Sequence, residues 1–131
     1  MTRLRRRAAP PVSLLLLTML GLAGCVSAPS AAEQAQFEQG RQLYRAADYP
    51  AAAAIFRPLA ERGLNGAQMM LAMSLLRQGP HWAEAEGPID PVQVTAPQRE
   101  ALRWFKRAAQ DGDDRAQRVL DNFAERGLRP P

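Results

Sequence analysis

The sequence predicts one all-α domain, and three observations lead to this prediction. After residue 30, apolar residues recur every three or four positions through most of the chain. The segments with this period are opened by capping residues and closed by glycine or proline. No segment alternates apolar and polar residues well enough to predict a strand. A chain of 131 residues is long enough for one domain with a core of its own.

Residues 1–24 are expected to be a secretory signal peptide rather than part of the fold. Four of the 17 basic residues lie within the first seven positions, and an apolar run follows at residues 12–22. This run is too short to cross a bilayer comfortably, and it ends in small residues, as a cleaved signal peptide does. The remaining basic residues equal the 13 acidic ones in number, so the charge predicts no nucleic acid partner.

The apolar run ends in the sequence LAGC at residues 22–25, which contains the only cysteine of the chain. This motif resembles the lipobox of bacterial lipoproteins. The resemblance implies that Cys25 is acylated and becomes the first mature residue, followed by a lipid-anchored tether at residues 25–29. Val26 stands where an aspartate would favour the inner membrane, which implies the outer membrane, facing the periplasm, for a Gram-negative source. The alternatives are an ordinary signal peptide with a chance cysteine and an uncleaved anchor.

Five helices are predicted within residues 30–128. Capping boxes of the form S/T-x-x-E/Q begin the first helix at residues 30–33 and the fourth at residues 95–98. Asn65 is expected to cap the third helix, with Gln68 reaching back to it. The predicted helices cover about residues 30–47, 50–62, 65–78, 95–111 and 114–126.

Residues 79–94 are predicted to form a long loop, because three prolines interrupt them and rule out a helix. We expect this loop to follow a fixed path against the helices and either to face a partner or to cover a groove. It contains Trp82, which either packs on the helices as an anchor or is exposed for recognition. It also contains His81, the only histidine, which we interpret as solvent-exposed.

The pentapeptide AERGL occurs at residues 60–64 and again at residues 124–128. In both copies the glycine stands where a helix ends in a left-handed residue, so we interpret the motif as a shared helix stop. A repeat emerges when the chain is shifted by 49 positions, because seven of the twenty residues at 52–71 then match those at 101–120. The matching positions are Ala52, Phe56, Ala60, Gly63, Ala67, Gln68 and Leu71, aligned with Ala101, Phe105, Ala109, Gly112, Ala116, Gln117 and Leu120.

The shared pattern, A-x3-F-x3-A-x2-G-x3-A-Q-x2-L, resembles the Sel-one-like repeat, a relative of the tetratricopeptide repeat, and the resemblance covers about residues 37–127. It implies a short right-handed superhelical array of antiparallel helical hairpins, with about five helices in two and a half repeats. The concave side of such arrays binds peptides or other proteins. The shift of 49 exceeds the usual period of about 34 to 40 residues, because residues 79–94 replace a short turn.

The sequence lacks the residues that a catalytic or metal site requires. Acylation would occupy Cys25, and His81 has no other cysteine to act with, so neither a cysteine–histidine pair nor a zinc site is expected. Asp111, Asp113 and Asp114 are explained by the start of the fifth helix, whose dipole favours negative charge. We therefore expect no enzymatic activity, no cofactor and no metal.

Four residues are candidates for partner binding, namely Trp82, Arg57, Arg103 and Arg107. The three arginines are expected to line a groove that receives acidic segments. Together with the lipid anchor at Cys25, these features predict an adaptor or assembly factor for another envelope protein. The alternatives are an enzyme or enzyme inhibitor acting on cell-wall or antibiotic chemistry, and a pilotin-like escort for a secretin or pilus.

Overall fold

The protein is an all-helical array in a computed structural model that describes residues 28–80 and 87–129. Those residues contain no strand. None of the helices in the described ranges is long and apolar enough to cross a membrane. The predicted all-α class is confirmed. The helices are α1 (Ala31–Arg45), α2 (Tyr49–Glu61), α3 (Asn65–Leu76), α4 (Ala96–Gln110) and α5 (Asp114–Glu125).

Each helix packs mainly on its neighbours in the chain. Turns of three residues connect α1 to α2, α2 to α3 and α4 to α5, so the helices of each pair run antiparallel. α3 lies in the middle of the array, against both α2 and α4. Phe56 of α2 and Phe105 of α4 are fully buried, and Ala67 of α3, also fully buried, lets neighbouring helices approach closely.

The two AERGL copies form the same backbone motif at the ends of α2 and α5. In each copy the leucine N–H donates to the carbonyl oxygen five residues earlier, at 3.2 Å for Leu64 and 2.8 Å for Leu128. Gly63 and Gly127 have positive φ angles of 86° and 90°, as this Schellman ending requires. The interpretation of the pentapeptide as a helix stop is confirmed.

Four of the seven residue pairs that the 49-residue shift aligns are buried at both positions in the two helical hairpins α2–α3 and α4–α5. The aligned glutamines are an exception, because Gln68 is fully buried whereas exposed Gln117 donates to Asp121 at 2.8 Å. The two hairpins therefore share their core positions and differ in their polar contacts. The aligned pairs that are fully buried at both positions are Ala52 and Ala101, Phe56 and Phe105, and Ala67 and Ala116.

The predicted cap of α3 is wrong. Asn65 is the first residue of α3, and the N-cap position belongs to Leu64, which makes no side-chain capping bond. Gln68 instead donates from Nε2 to Oδ2 of Asp111 at 3.0 Å. The physical reason is the helix stop of α2. Leu64 follows it in extended backbone, and its carbonyl already accepts the Gln68 N–H at 3.0 Å, so α3 begins one residue earlier than a cap at Asn65 requires.

Residues 87–94 pack against the helices, as expected for this part of the loop. Ile89 and Val94 are buried, and the Ile89 N–H donates to the Arg126 carbonyl at 2.9 Å. The expectation that the prolines exclude any helix here is wrong, because Pro91–Gln93 form a short 3₁₀ helix capped by Asp90. Proline is compatible with this position because the first residue of a helix needs no N–H partner.

Candidate binding groove

An apolar groove of about 390 Å³ lies between α3 and α5, and we refer to it as the α3–α5 groove. The lining residues on α3 are spaced i, i+4 and i+7, and most of those on α5 are spaced i, i+3, i+4 and i+7. Residues at these spacings lie on one face of a helix, so the groove is formed by one face of α3 and one face of α5. The apolar lining consists of Met69, Met73 and Leu76 from α3 and Val119 and Phe123 from α5. Arg115, Arg118 and Asn122 complete the lining along α5.

Two methionines give the groove an adaptable wall. Met69 and Met73 are partly buried and pack against the core while they face the groove. A methionine side chain is unbranched and polarizable, so it can rearrange around apolar groups of different shapes. The groove therefore suits apolar side chains of a binding partner.

Arg115 is fixed at the start of α5 by Asp113. The Asp113 carboxylate accepts the Arg115 N–H at 2.9 Å and receives two bonds from the guanidinium, at 3.1 and 2.8 Å. These hydrogen bonds from Arg115 lower the pKa of Asp113 below its usual value, and Asp113 raises the pKa of Arg115. The guanidinium thus stays charged and is held in place beside the groove.

Arg118 lies about one turn after Arg115 on the same side of α5, and it is exposed. Within the described part of the chain it makes no hydrogen bond or ion pair. Its charge is therefore available to an acidic group of a ligand in the α3–α5 groove.

The predicted binding residue Arg57 connects two helices. It lies on α2 and donates to Glu100 of α4 at 2.5 Å, and the Trp104 indole donates to the same carboxylate at 3.2 Å. The hydrogen bond from Arg57 is the main reason that the pKa of Glu100 lies below its usual value. Arg57 therefore has a structural partner, and its role in binding stays a prediction.

The other two predicted arginines lie on α4 near the same cluster. Arg107 stands over the Trp104 ring, 5.6 Å from its centroid, and Arg103 is exposed close enough to Glu100 to lower the pKa of that carboxyl. The structure thus brings Arg57, Arg103 and Arg107 to one region of α2 and α4. None of them lines the α3–α5 groove, and their binding role also stays a prediction.

Cys25, His81 and Trp82 lie outside the described residues, so their predicted roles stay predictions. The described end of the loop, residues 87–94, contributes no side chain to the α3–α5 groove.

Sequence reasoning missed the α3–α5 groove because it interpreted the apolar residues of α3 as buried. The available signal was the spacing of Met69 and Met73 together with the face of α5 that carries Arg115 and Arg118. This signal identifies two helix faces. It does not show that the two faces meet along a groove, because that depends on how the helices pack.

Within residues 28–80 and 87–129, no group of three or more histidine, cysteine, aspartate or glutamate side chains is placed to hold a metal ion. No protein-family model, no curated protein and no solved structure matches the chain. A functional proposal therefore depends on the geometry of the groove and on the sequence motifs.

Proposed function

We propose that this protein is a lipid-anchored adaptor of the bacterial envelope that binds a segment of another envelope protein. The observation that carries the proposal is the α3–α5 groove, which combines an apolar interior with a basic edge. Grooves of this kind receive the apolar face of a peptide or helix from a partner. The methionines adjust to the side chains that enter.

The basic edge specifies the chemistry of the partner segment. Arg118 has no partner among the described residues, and 63% of the Arg115 side chain is exposed even though Asp113 holds it. An acidic residue beside the apolar side chains of the segment would pair with Arg118. Such complementary charges increase the rate of association and select the correct partner.

The lipid anchor is the second part of the proposal, and the LAGC motif at residues 22–25 supports it. More than one acyl chain on Cys25 would keep the protein on a membrane essentially permanently. The tether is short, so the groove would stay close to the membrane surface. We place the protein on the outer membrane, facing the periplasm, because Val26 follows the cysteine.

Photocrosslinking in the native cells tests the groove. A photoreactive amino acid replaces Met73 in one variant and Gln39 of α1 in a matched control, because Gln39 is exposed and lies outside both the groove and the long loop. We expect one defined crosslinked protein from position 73 and not from position 39. Arg118→Glu should weaken that crosslink by reversing the charge at the edge of the groove.

Equal crosslinking from both positions, or a crosslink unaffected by Arg118→Glu, would contradict binding in the groove. Intact-mass analysis of the membrane-bound protein tests the anchor separately, with Cys25 expected as an acylated first residue. A secretin or pilus subunit as the crosslinked protein would indicate the pilotin-like alternative. Turnover of cell-wall fragments by the purified mature chain would support the enzyme alternative instead.

A further inference from the structure

A second pocket shares no lining residue with the α3–α5 groove. It has a volume of about 730 Å³, which is within the size range of small-molecule sites. We refer to it as the tether pocket, because Ala28 and Pro29 of the tether region form one wall. Its apolar lining includes Phe37 of α1, Leu64 of the α2–α3 turn, and Gly66 and Ala67 of α3.

The shape of the tether pocket depends on Gly66. A Cβ atom at this position would lie 3.5 Å from the Phe37 ring, which is ordinary van der Waals contact, so a larger side chain would occupy the space. The Phe37 ring itself is fixed by an edge-to-face contact with Phe56, with centroids 5.4 Å apart. Gly66 thus keeps the pocket open in front of a rigid aromatic wall.

The charged groups around the tether pocket are already paired. Glu33 is 7% exposed, accepts bonds from the N–H and hydroxyl of Ser30, and forms an ion pair with Arg62. Asp111 accepts the amide of Gln68. Because Glu33 and Arg62 neutralise each other and Asp111 is hydrogen-bonded within the protein, the remaining surface of the pocket suits an uncharged apolar ligand.

The position of the pocket points to a particular apolar ligand. Cys25 precedes Ala28 by three residues, and three extended residues span at most about 11 Å. Gln34 of α1 donates to the Pro29 carbonyl at 3.1 Å and so holds the chain against the pocket. A group attached to Cys25 therefore starts within reach of the pocket wall.

We propose that the tether pocket binds one aliphatic chain attached to Cys25. The inference rests on the lipid anchor of the proposed function. Bound in the pocket, the chain is removed from water whenever the anchor is outside a bilayer, and this apolar burial stabilises the fold. The same contact fixes the orientation of the array relative to its anchor.

The test uses the mature chain, residues 25–131, which contains every described residue of the fold. Cys25 is the only cysteine, so a maleimide carrying a hexadecyl chain can be attached there alone, with N-ethylmaleimide as the short-chain control. We expect the hexadecyl conjugate to remain monomeric and to melt at least about 4 °C above the ethyl conjugate. Because the chain is attached chemically, the result does not depend on acylation in cells.

Gly66→Leu fills the pocket and is expected to abolish the difference in melting temperature between the two conjugates. Helix content verifies that this variant folds, and leucine is a better helix former than glycine. Met73→Trp alters the other groove and should keep the difference. Equal melting of the wild-type conjugates would overturn the proposal, as would a full difference in Gly66→Leu. The proposal would also be overturned if one equivalent of free palmitate stabilised the ethyl conjugate as much as the attached hexadecyl chain does, because the pocket would then be a general lipid site.

Discussion

Glu100 of α4 accepts hydrogen bonds from Arg57 of α2 and from Trp104, which lies one turn further along α4. Arg57 is the main cause of the lowered pKa of this carboxyl, while its partial burial acts in the opposite direction. The folded protein therefore releases the Glu100 proton more readily than the unfolded chain does. By linkage, the pair stabilises the fold only while Glu100 is ionised.

We predict that Glu100→Gln lowers the free energy of unfolding at neutral pH by at most about 1 kcal/mol, because the ion pair is partly exposed. The difference in unfolding free energy between the variant and the wild type should be complete above 4.5, the ordinary pKa of a glutamate, and should disappear as the pH falls through the lower pKa of folded Glu100. Urea denaturation of both proteins over a pH series measures this difference. Asp113 also has a lowered pKa, but it is present in both proteins and its effect cancels. A difference that stays constant with pH would contradict the prediction.

Gly40 of α1 is buried against Phe56 of α2. A Cβ atom there would lie 2.7 Å from Cζ of Phe56, closer than real side chains approach one another. We predict that Gly40→Ala destabilises the fold by about 1–3 kcal/mol, because the ring or the helix must move. Gly66→Ala is the matched control, since its Cβ would make ordinary contact, and it should leave stability unchanged or higher. Similar melting temperatures for the two variants would contradict the close approach of α1 and α2.

At the scale of the element, the end of α1 differs from the ends of α2, α4 and α5. Gly63, Gly112 and Gly127 have φ angles of 86°, 95° and 90°, whereas the corresponding residue after α1 is Ala47, with φ 60°. The backbone bonds are the same, because Asp48 N–H donates to the Leu43 carbonyl at 3.0 Å. An alanine in this left-handed conformation crowds its own carbonyl oxygen and is strained.

We therefore predict that Ala47→Gly stabilises the protein by about 1 kcal/mol. Gly112→Ala is the opposite change at an equivalent helix end and should destabilise by a similar amount. No atom lies within 4 Å of a Cβ added at Gly112, so the effect there comes from the backbone alone. Thermal unfolding of both variants tests the prediction, and a lower melting temperature for Ala47→Gly would show that the α1 end is not strained.

At the scale of the whole molecule, residues 87–94 tie the end of α5 to the start of α4. Ile89 bonds to the backbone of Arg126, and the Arg126 side chain donates to the Gly87 carbonyl at 2.9 Å. Gln98 of α4 is fully buried and donates to the carbonyls of Leu76 and Pro80 at 3.3 and 2.9 Å. The described residues 87–94 of the connection between α3 and α4 thus contribute to the core, and the loop also stays a candidate for partner contact.

We predict that Ile89→Ala destabilises the fold by about 2–4 kcal/mol, since Ile89 is buried within the array. Val92→Ala, only three residues away but 87% exposed, should change stability by less than about 0.5 kcal/mol. Denaturant unfolding of both variants provides the comparison. If Ile89→Ala is as mild as Val92→Ala, the segment is not held against the helices in solution.

Predictions from the sequence succeeded where a feature is local. The capping boxes at residues 30–33 and 95–98 are both present, with each side chain and backbone bond in place. The expected cap at Asn65 failed because α3 begins one residue earlier, directly after the helix stop, with Leu64 at the N-cap position. Leu64 completes the helix stop through its N–H and opens α3 through its carbonyl, and the sequence pattern does not show that one residue serves both.

The sequence by itself determined the all-α class, the approximate bounds of the helices and the way most of them begin and end. These features depend on hydrogen bonds between residues a few positions apart, which a short motif specifies. Only the tertiary structure decided that Arg57 meets Glu100 and that Gln68 meets Asp111, because the partners of each pair lie 43 positions apart in the chain. It also decided where the α3–α5 groove and the tether pocket lie, because such surfaces form from helix faces that the packing of the whole array brings together.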